Sequence, residues 1–215
     1  MNPTRSVMLY LAIAGLALAL VSGGCAMMPP KGVESYVPPP LGSTFTYSQS
    51  KTGSFGSGTT QVTQKVTERT WEGKRMTAIV TPTGVSLLNA EGAFVAILGP
   101  NDTPILSFDP AMGYDYPLAV DKTWTKSCRM TVHAAQRTVP LDNTFKIEAY
   151  EEVTVPAGKF KAFKLIYFNT VGEEFISWLI PELGQSVKRV QKRTAKYPAG
   201  PGTREEELVS YTIPK

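Results

Sequence analysis

The chain has 215 residues, 42% of them hydrophobic and 19% charged, with a formal net charge of +4. These proportions exclude a disordered chain, and so mild a charge excludes the dense basic face of a nucleic-acid binder. Eighteen glycines and 17 prolines, among recurrent Thr, Val, Tyr and Phe, point to an all-β chain with many turns.

The amino-terminal segment opens with Arg5, its single charged side chain, followed by an unbroken apolar run over 7–21. That length suits the h-region of a secretory signal and falls short of the roughly 20 residues a spanning helix needs. Ser22, Gly23 and Gly24 then place small residues directly before Cys25. The arrangement resembles a bacterial lipobox, with Ser22 where leucine is usual. The resemblance implies cleavage before Cys25, a diacylglycerol on its sulfur and a fatty acyl group such as palmitate on its new amine. Cleavage there removes Arg5 and leaves a charge of +3. Ala26 is not the aspartate of inner-membrane retention, so the analogy points to the outer membrane, facing the periplasm. More than one acyl chain makes a stable anchor. Residues 1–24 are thus read as a signal-peptide helix of lipoprotein type, 25–42 as a Pro-rich tether, and 43–215 as a single β domain.

Within that domain, 44–50 alternates Phe45 and Tyr47 with polar residues, a half-buried strand pattern. The glycine-rich stretch 53–58 is followed by a Thr- and Val-rich run. It lacks the helix a phosphate-binding loop requires, so it reads as a hairpin tip. Further strands are predicted over 75–81, 85–88, 93–98 and 104–110, then over 123–138 and 143–155. In the last of these Phe145, Ile147 and Ala149 share one face. Beyond the leader no stretch shows a sustained helical stripe.

The turn chemistry is most specific over 153–190. In Val155-Pro156-Ala157-Gly158, proline presets φ for a turn and glycine accepts a positive φ. Phe163, Leu165 and Tyr167 fall on one face of the next strand and Lys164, Ile166 and Phe168 on the other. With apolar groups on both, the strand is expected to be central and covered on both sides for part of its length. Trp178-Leu179-Ile180 then runs into Pro181 and Gly184, a stop and a reversal. These elements, with the 116–124 segment Y-P-L-A-V-D-K-T-W, resemble a family of uncharacterised bacterial envelope proteins and lipoproteins. Its members share a Val-Pro-Ala-Gly hairpin, a Trp-x-x-Pro-x-x-Gly segment and a glycine where this chain has Asp121. The resemblance implies a mostly antiparallel sheet and supplies no catalytic residues. Taken together, the expected fold is all-β and mainly antiparallel, a curved sheet or an open β-barrel or sandwich.

The chemical inventory is sparse. His133 is the single histidine, and Cys128, five residues away, falls on the opposite face of a continuous strand, which disfavours a Cys-His dyad. One histidine and one post-leader cysteine do not make a zinc shell, so neither a metal nor a cofactor is expected. The pairs Glu151-Glu152 and Glu173-Glu174 place their carboxylates on opposite faces. Asp109, Asp115 and Asp121 flank turns, where aspartate serves the backbone. A hydrolase requires Asp109, Asp115 or Glu174 to converge in one pocket. The basic run Lys188, Arg189, Lys192, Arg193 and Lys196 is expected to pair with Glu205-Glu206-Glu207 across a hairpin near 197–200. The aromatic density predicts core packing, with Phe163, Tyr167 and Trp178 as the candidate lining of a ligand groove.

The sequence therefore points to a non-catalytic, lipid-anchored envelope protein that binds a partner protein or supports an assembly. The alternatives are an amphiphile bound inside the curved sheet and a carboxylate-dependent hydrolase.

Overall fold

The computed structural model describes residues 33–214. The leader, Cys25 and the first part of the tether lie outside the described residues. Among those described, twelve antiparallel strands form a closed barrel. They are β1 (Thr44–Gly53), β2 (Gly58–Trp71), β3 (Lys74–Thr81), β4 (Gly84–Leu88), β5 (Phe94–Leu98) and β6 (Pro104–Met112), followed by β7 (Thr123–Val132), β8 (Arg137–Val155), β9 (Gly158–Asn169), β10 (Glu173–Ile180), β11 (Gln185–Arg193) and β12 (Gly202–Thr212). Each strand pairs with its sequence neighbours, and β1 pairs with β12 from Thr44↔Thr212 to Gly53↔Gly202 to close the ring. The all-β, mainly antiparallel fold expected from the sequence is thus realised as a closed barrel, which leaves no free sheet edge.

Alternation decides inside from outside. On β1, Phe45, Tyr47 and Gln49 are buried while Thr44, Thr46 and Ser48 are not. On β7, Thr123, Thr125, Ser127 and Arg129 are exposed and the residues between them face in. On these two strands the outer face is thus mainly hydroxyl and charged. Strand β9 is covered on both sides over part of its length, with Ala162 buried on one face and Phe163 and Leu165 on the other, while Phe168, near its end on the outer face, is 54% exposed.

Over β3 to β5 the outward row Ala78, Leu87 and Ala96 is also buried and joins Met76, Val85 and Leu98 in a second cluster, with Trp71 against it. Arg69 of β2 reaches Asp102, beyond β5, at 4.0 Å. An ion pair spanning these strands requires the sheet to curl toward its outer face here.

Two predicted strands are broken by local geometry. The stretch 123–138 is interrupted by a 3-10 turn at His133–Ala135, closed by Gln136 with φ of 48°. Along β8 a bulge between Ile147 and Ala149 sends Ala149 to the face opposite Phe145 and Ile147. A bulge adds one residue and reverses the alternation after it.

Past that bulge the β8–β9 hairpin extends over one end of the barrel. Val153, Val155 and Ala162 join Phe45, Val66 and Leu208 in the main core cluster. The Ala157 N–H donates to the Leu208 carbonyl at 2.9 Å. The Val-Pro-Ala-Gly turn is therefore a tertiary contact as well as a reversal. Gly158 has φ of 134°, a region essentially reserved for glycine, and Phe160 at 3.9 Å is the single atom neighbour a Cβ would meet. Gly158→Ala is expected to cost about 1–3 kcal/mol through backbone strain alone, read as a lower denaturant midpoint at unchanged slope.

The same end receives the 113–122 connection and the segment 33–42. Leu118, fully buried, donates its N–H to the Val33 carbonyl at 2.9 Å and packs with Ile147, Phe163, Leu165 and Leu179. Asp121, standing where the resemblance expects glycine, has φ of 68°, and its N–H donates to the Ile147 carbonyl. Segment 33–42 also presses on the β10–β11 turn, where a side chain at Gly184 would run into the Val37 carbonyl oxygen. We call this end of the barrel the floor. The opposite end, the mouth, carries the 54–57 and 194–201 connections.

Candidate functional site

The pairing registers lay the inward side chains out in rows across the strands. One row runs Trp124, Phe145, Tyr167, Phe175, Gln191, Arg204. Its aromatic half is a continuous stack. Trp124 lies on Phe145 at 5.0 Å and 4°, Phe145 meets Tyr167 at 5.0 Å, and Tyr167 stacks on Phe175 at 4.2 Å and 11°. Tyr114, from the floor connection, meets Phe145 edge-on. The neighbouring row runs Ile147, Leu165, Ser177, Arg189, Glu206, Gln49. Each row thus passes from apolar or aromatic groups on β7–β9 to charged groups on β11 and β12.

Those charges form one network. Arg189 Nη2 sits 2.7 Å from Glu206 Oε2, Arg204 Nε sits 3.8 Å from Glu206 Oε1, and Gln49 Nε2 donates to the same carboxylate. One turn of the wall away, Gln191 Nε2 donates to Glu173 Oε1 at 2.9 Å and Arg193 Nε lies 3.6 Å from it. Arg204 donates to Gln191 Oε1. Arg193 is held between the rings of Phe55 and Tyr197, at 3.9 and 4.2 Å, both from mouth connections. Arg189 lies 5.0 Å over the Tyr47 ring.

Burial raises the Glu206 carboxyl, but Arg189, Arg204 and Gln49 outweigh it and hold the group below the usual carboxylate range. Burial lowers Arg204, and the nearby Arg189 and Arg193 add to that against Glu206, so its net shift is downward. Burial pushes the phenols up. Tyr47 rises to about 12, and Tyr114 and Tyr167 also lie above the ordinary value, so all three are neutral donors at physiological pH.

Of the residues singled out in the sequence, Phe163 and Tyr167 face the lumen, Phe163 fully buried in the floor and Tyr167 in the aromatic stack. Trp178 does not join them. It pairs with Lys164 on the outer face, between Lys164 Nζ at 5.8 Å and Lys188 Nζ at 5.7 Å, and donates to Glu151 Oε1 at 2.8 Å. Phe163 and Leu165 lie two positions apart and share the inward face, Lys164 lies one position from each and faces outward, and its register partner Trp178 faces outward with it.

Cys128 is buried in a cluster with Phe108 and Leu141, and burial pushes its thiol up. His133 sits in the turn after β7, its Nε2 3.0 Å from Ser107 Oγ. Asp109 meets Arg129 and Asp115 meets Lys122, both at 2.9 Å and both largely exposed, while Glu174 is exposed on β10. They share no pocket. Glu173 and Glu174 do diverge, Glu173 inward to the network. Lys188 and Glu207 meet at 2.7 Å across the β11–β12 hairpin, as the complementary signs suggest. No local motif marks Arg189, Arg193 and Arg204 as inward-facing; the alternation of β11 and β12 about fully buried Val187 and Leu208 carries that information.

No family model matches the chain, and no curated protein matches it by sequence. Among solved structures it is similar to a protein assigned as exported, with a YmcC-like fold, from Bacteroides fragilis. That pair is 12% identical with a TM-score of 0.46, covering 83% of this chain and 99% of the other. A protein assigned as a lipoprotein from Parabacteroides distasonis is 11% identical with a TM-score of 0.42, over 83% and 99%. The hypothetical lipoprotein YmcC from Escherichia coli is 12% identical with a TM-score of 0.36, over 81% and 87%.

Proposed function

We propose that the chain is a cell-envelope lipoprotein, anchored through acyl chains on Cys25 in the outer membrane, whose barrel acts without catalysis as a binding or assembly module in the periplasm. The observation that carries this reading is where the chain enters the fold. Val33 pairs with Leu118 beneath the floor, eight residues after Cys25. At about 3.3–3.6 Å per extended residue those eight span under about 30 Å. An anchored Cys25 thus holds the floor close to the bilayer and turns the mouth toward the compartment. Val37 and Leu41, each more than half exposed, and Tyr211 lie at this end, where they would meet the lipid surface or an envelope partner.

Metabolic labelling with a fatty acid, compared between the natural chain and Cys25→Ala, tests the anchor. Label and membrane association are expected in the first and lost in the second. Equal labelling of both defeats the reading.

The second reading, an amphiphile within the sheet, is narrowed by the floor. Ile147, Phe163 and Leu165 are fully buried and fill it. Nearer the mouth the inward groups Tyr167, Phe175 and Arg189 are only partly buried, and they are aromatic and charged. A long apolar tail has no matching surface there.

A further inference from the structure

The inward rows of β10 to β12 bring three guanidinium groups, Arg189, Arg193 and Arg204, against two carboxylates, Glu173 and Glu206. Lys51 shares the same face, paired in register with Arg204 at the mouth. The enclosure therefore holds an excess of positive charge, and each unmatched cation in a low-dielectric interior is costly unless an anion or solvent meets it. The downward shift of Arg204, beside Arg189 and Arg193, reflects that crowding.

A second set of observations concerns hydrogen-bonding capacity. Asn143 is fully buried on the inward face of β8, and its Oδ1 has no partner. Trp124 Nε1, Arg189 Nε and Arg193 Nε are buried donors without partners. All four belong to residues on inward rows of β7, β8 and β11, and buried polar groups in folded proteins are ordinarily satisfied. The contact between Arg189 Nη2 and Glu206 is close enough to be an ion pair yet lacks hydrogen-bond alignment, which leaves much of that guanidinium's donor capacity unspent. Arg189 also faces inward in a closed ring while 32% of its side-chain surface remains accessible, and Arg204 retains 36%. The lumen is not packed solid at their level.

We propose that the arginine side of the lumen is a binding site for a compact oxyanion, a phosphate or carboxylate group, held by Arg189 and Arg204. Arg193, fixed between Phe55 and Tyr197, supplies the third positive charge. A planar guanidinium with free N–H groups is suited to two parallel hydrogen bonds with an oxyanion. The neutral Tyr114 and Tyr167 lie beside Arg189 and add phenol donors on the aromatic side. The facing Trp124–Phe175 stack suits a ligand whose anionic group is attached to a flat or apolar body. Glu206 and Glu173 orient the arginines and keep the excess small, so that a monoanion or dianion neutralises the site. This inference stands apart from the acyl anchor: it requires only the barrel, whichever membrane holds Cys25.

The test is equilibrium binding to the full chain at constant ionic strength, with inorganic phosphate, phenyl phosphate and benzyl alcohol as probes, read by dialysis and by thermal shift. Saturable binding of phenyl phosphate is expected, tighter than inorganic phosphate, with benzyl alcohol at least tenfold weaker. Arg189→Gln and Arg204→Gln are each expected to weaken phenyl phosphate at least tenfold. Arg129→Gln, on the outer wall, leaves it unchanged. Should Arg189→Gln fail to fold, the mouth-proximal Arg204→Gln and the conservative Arg189→Lys carry the comparison, the latter keeping charge while losing the fork. Absence of saturable phosphate-ester binding overturns the proposal. Equal loss in Arg129→Gln and Arg204→Gln, or equal binding of alcohol and phosphate, does so as well.

Discussion

Glu206→Gln is expected to lower stability by about 2–4 kcal/mol, because it leaves Arg189 inside the barrel without its counter-charge. Removing one partner of a buried pair ordinarily costs about 3–5 kcal/mol, and the lower range reflects the third of the Arg189 surface that solvent reaches. Glutamine keeps the size of the side chain and its contact with Gln49, so packing is not the variable. The same carboxylate predicts the acid limb. Its folded-state value lies below that of the unfolded chain, so its contribution is fully present above the ordinary carboxylate range and is lost as pH falls through the depressed value. Natural protein is therefore expected to lose stability on acidification below about pH 5 more steeply than Glu206→Gln. Chemical denaturation at a series of pH values from 3 to 7 reads both effects. Parallel pH profiles for the two proteins would remove Glu206 as the linked group.

Phe145→Ala is expected to be the more damaging change. The ring is 2% exposed, stacks on Trp124, meets Tyr167 on its other side and receives the edge of Tyr114. Deletion of a buried phenyl costs about 3–5 kcal/mol through lost transfer energy and the cavity that remains. Three aromatic contacts are removed with it, each worth about 0.5–1.5 kcal/mol beyond area. The wall around it is a closed ring that cannot collapse freely into the void, which places the expectation at the upper end. Phe145→Leu, which fills most of the volume, should recover at least half of the loss. A denaturant midpoint within error of the natural protein for Phe145→Ala would contradict the stacked-wall description.

The strands and their turns were legible because they rest on local chemistry. Proline and glycine placement marks the reversals at 155–158 and 181–184, and alternation in 44–50 marks the inward face of β1. Closure was not legible. It depends on the accumulated tilt of twelve strands and on the pairing of Phe45 with Tyr211, which no local pattern encodes. Nor was the bulge at 148. Without it, Ala149 continues the face of Phe145 and Ile147, and a single inserted residue reverses every later assignment on the strand. Aromatic character groups Trp178 with Phe163 and Tyr167, whereas parity and two lysines place it on the outer face of the sheet, half-buried against the core cluster of Ala162 and Val153. The complementary signs of the basic run and the glutamates predict pairing across the hairpin, and both Lys188–Glu207 and Arg189–Glu206 pair there. Arg189 and Arg193, however, lie one step out of phase with the lysines, and that phase sends them indoors.

The closure of the ring bears on how the molecule assembles. Every strand pairing but one joins neighbours in the chain and can form as soon as both have been made. The exception joins β1 to β12, whose paired residues are separated by nearly the whole domain. Local hairpins form in microseconds, but a contact between distant segments waits for the rest of the chain and dominates the folding time. Until β12 docks, β1 and β11 present bare hydrogen-bonding edges flanked by apolar side chains, the surface on which intermolecular sheets grow. The β1–β12 pairing is thus the clasp of the ring, and the interval before β12 is in place is expected to be the stage of greatest vulnerability.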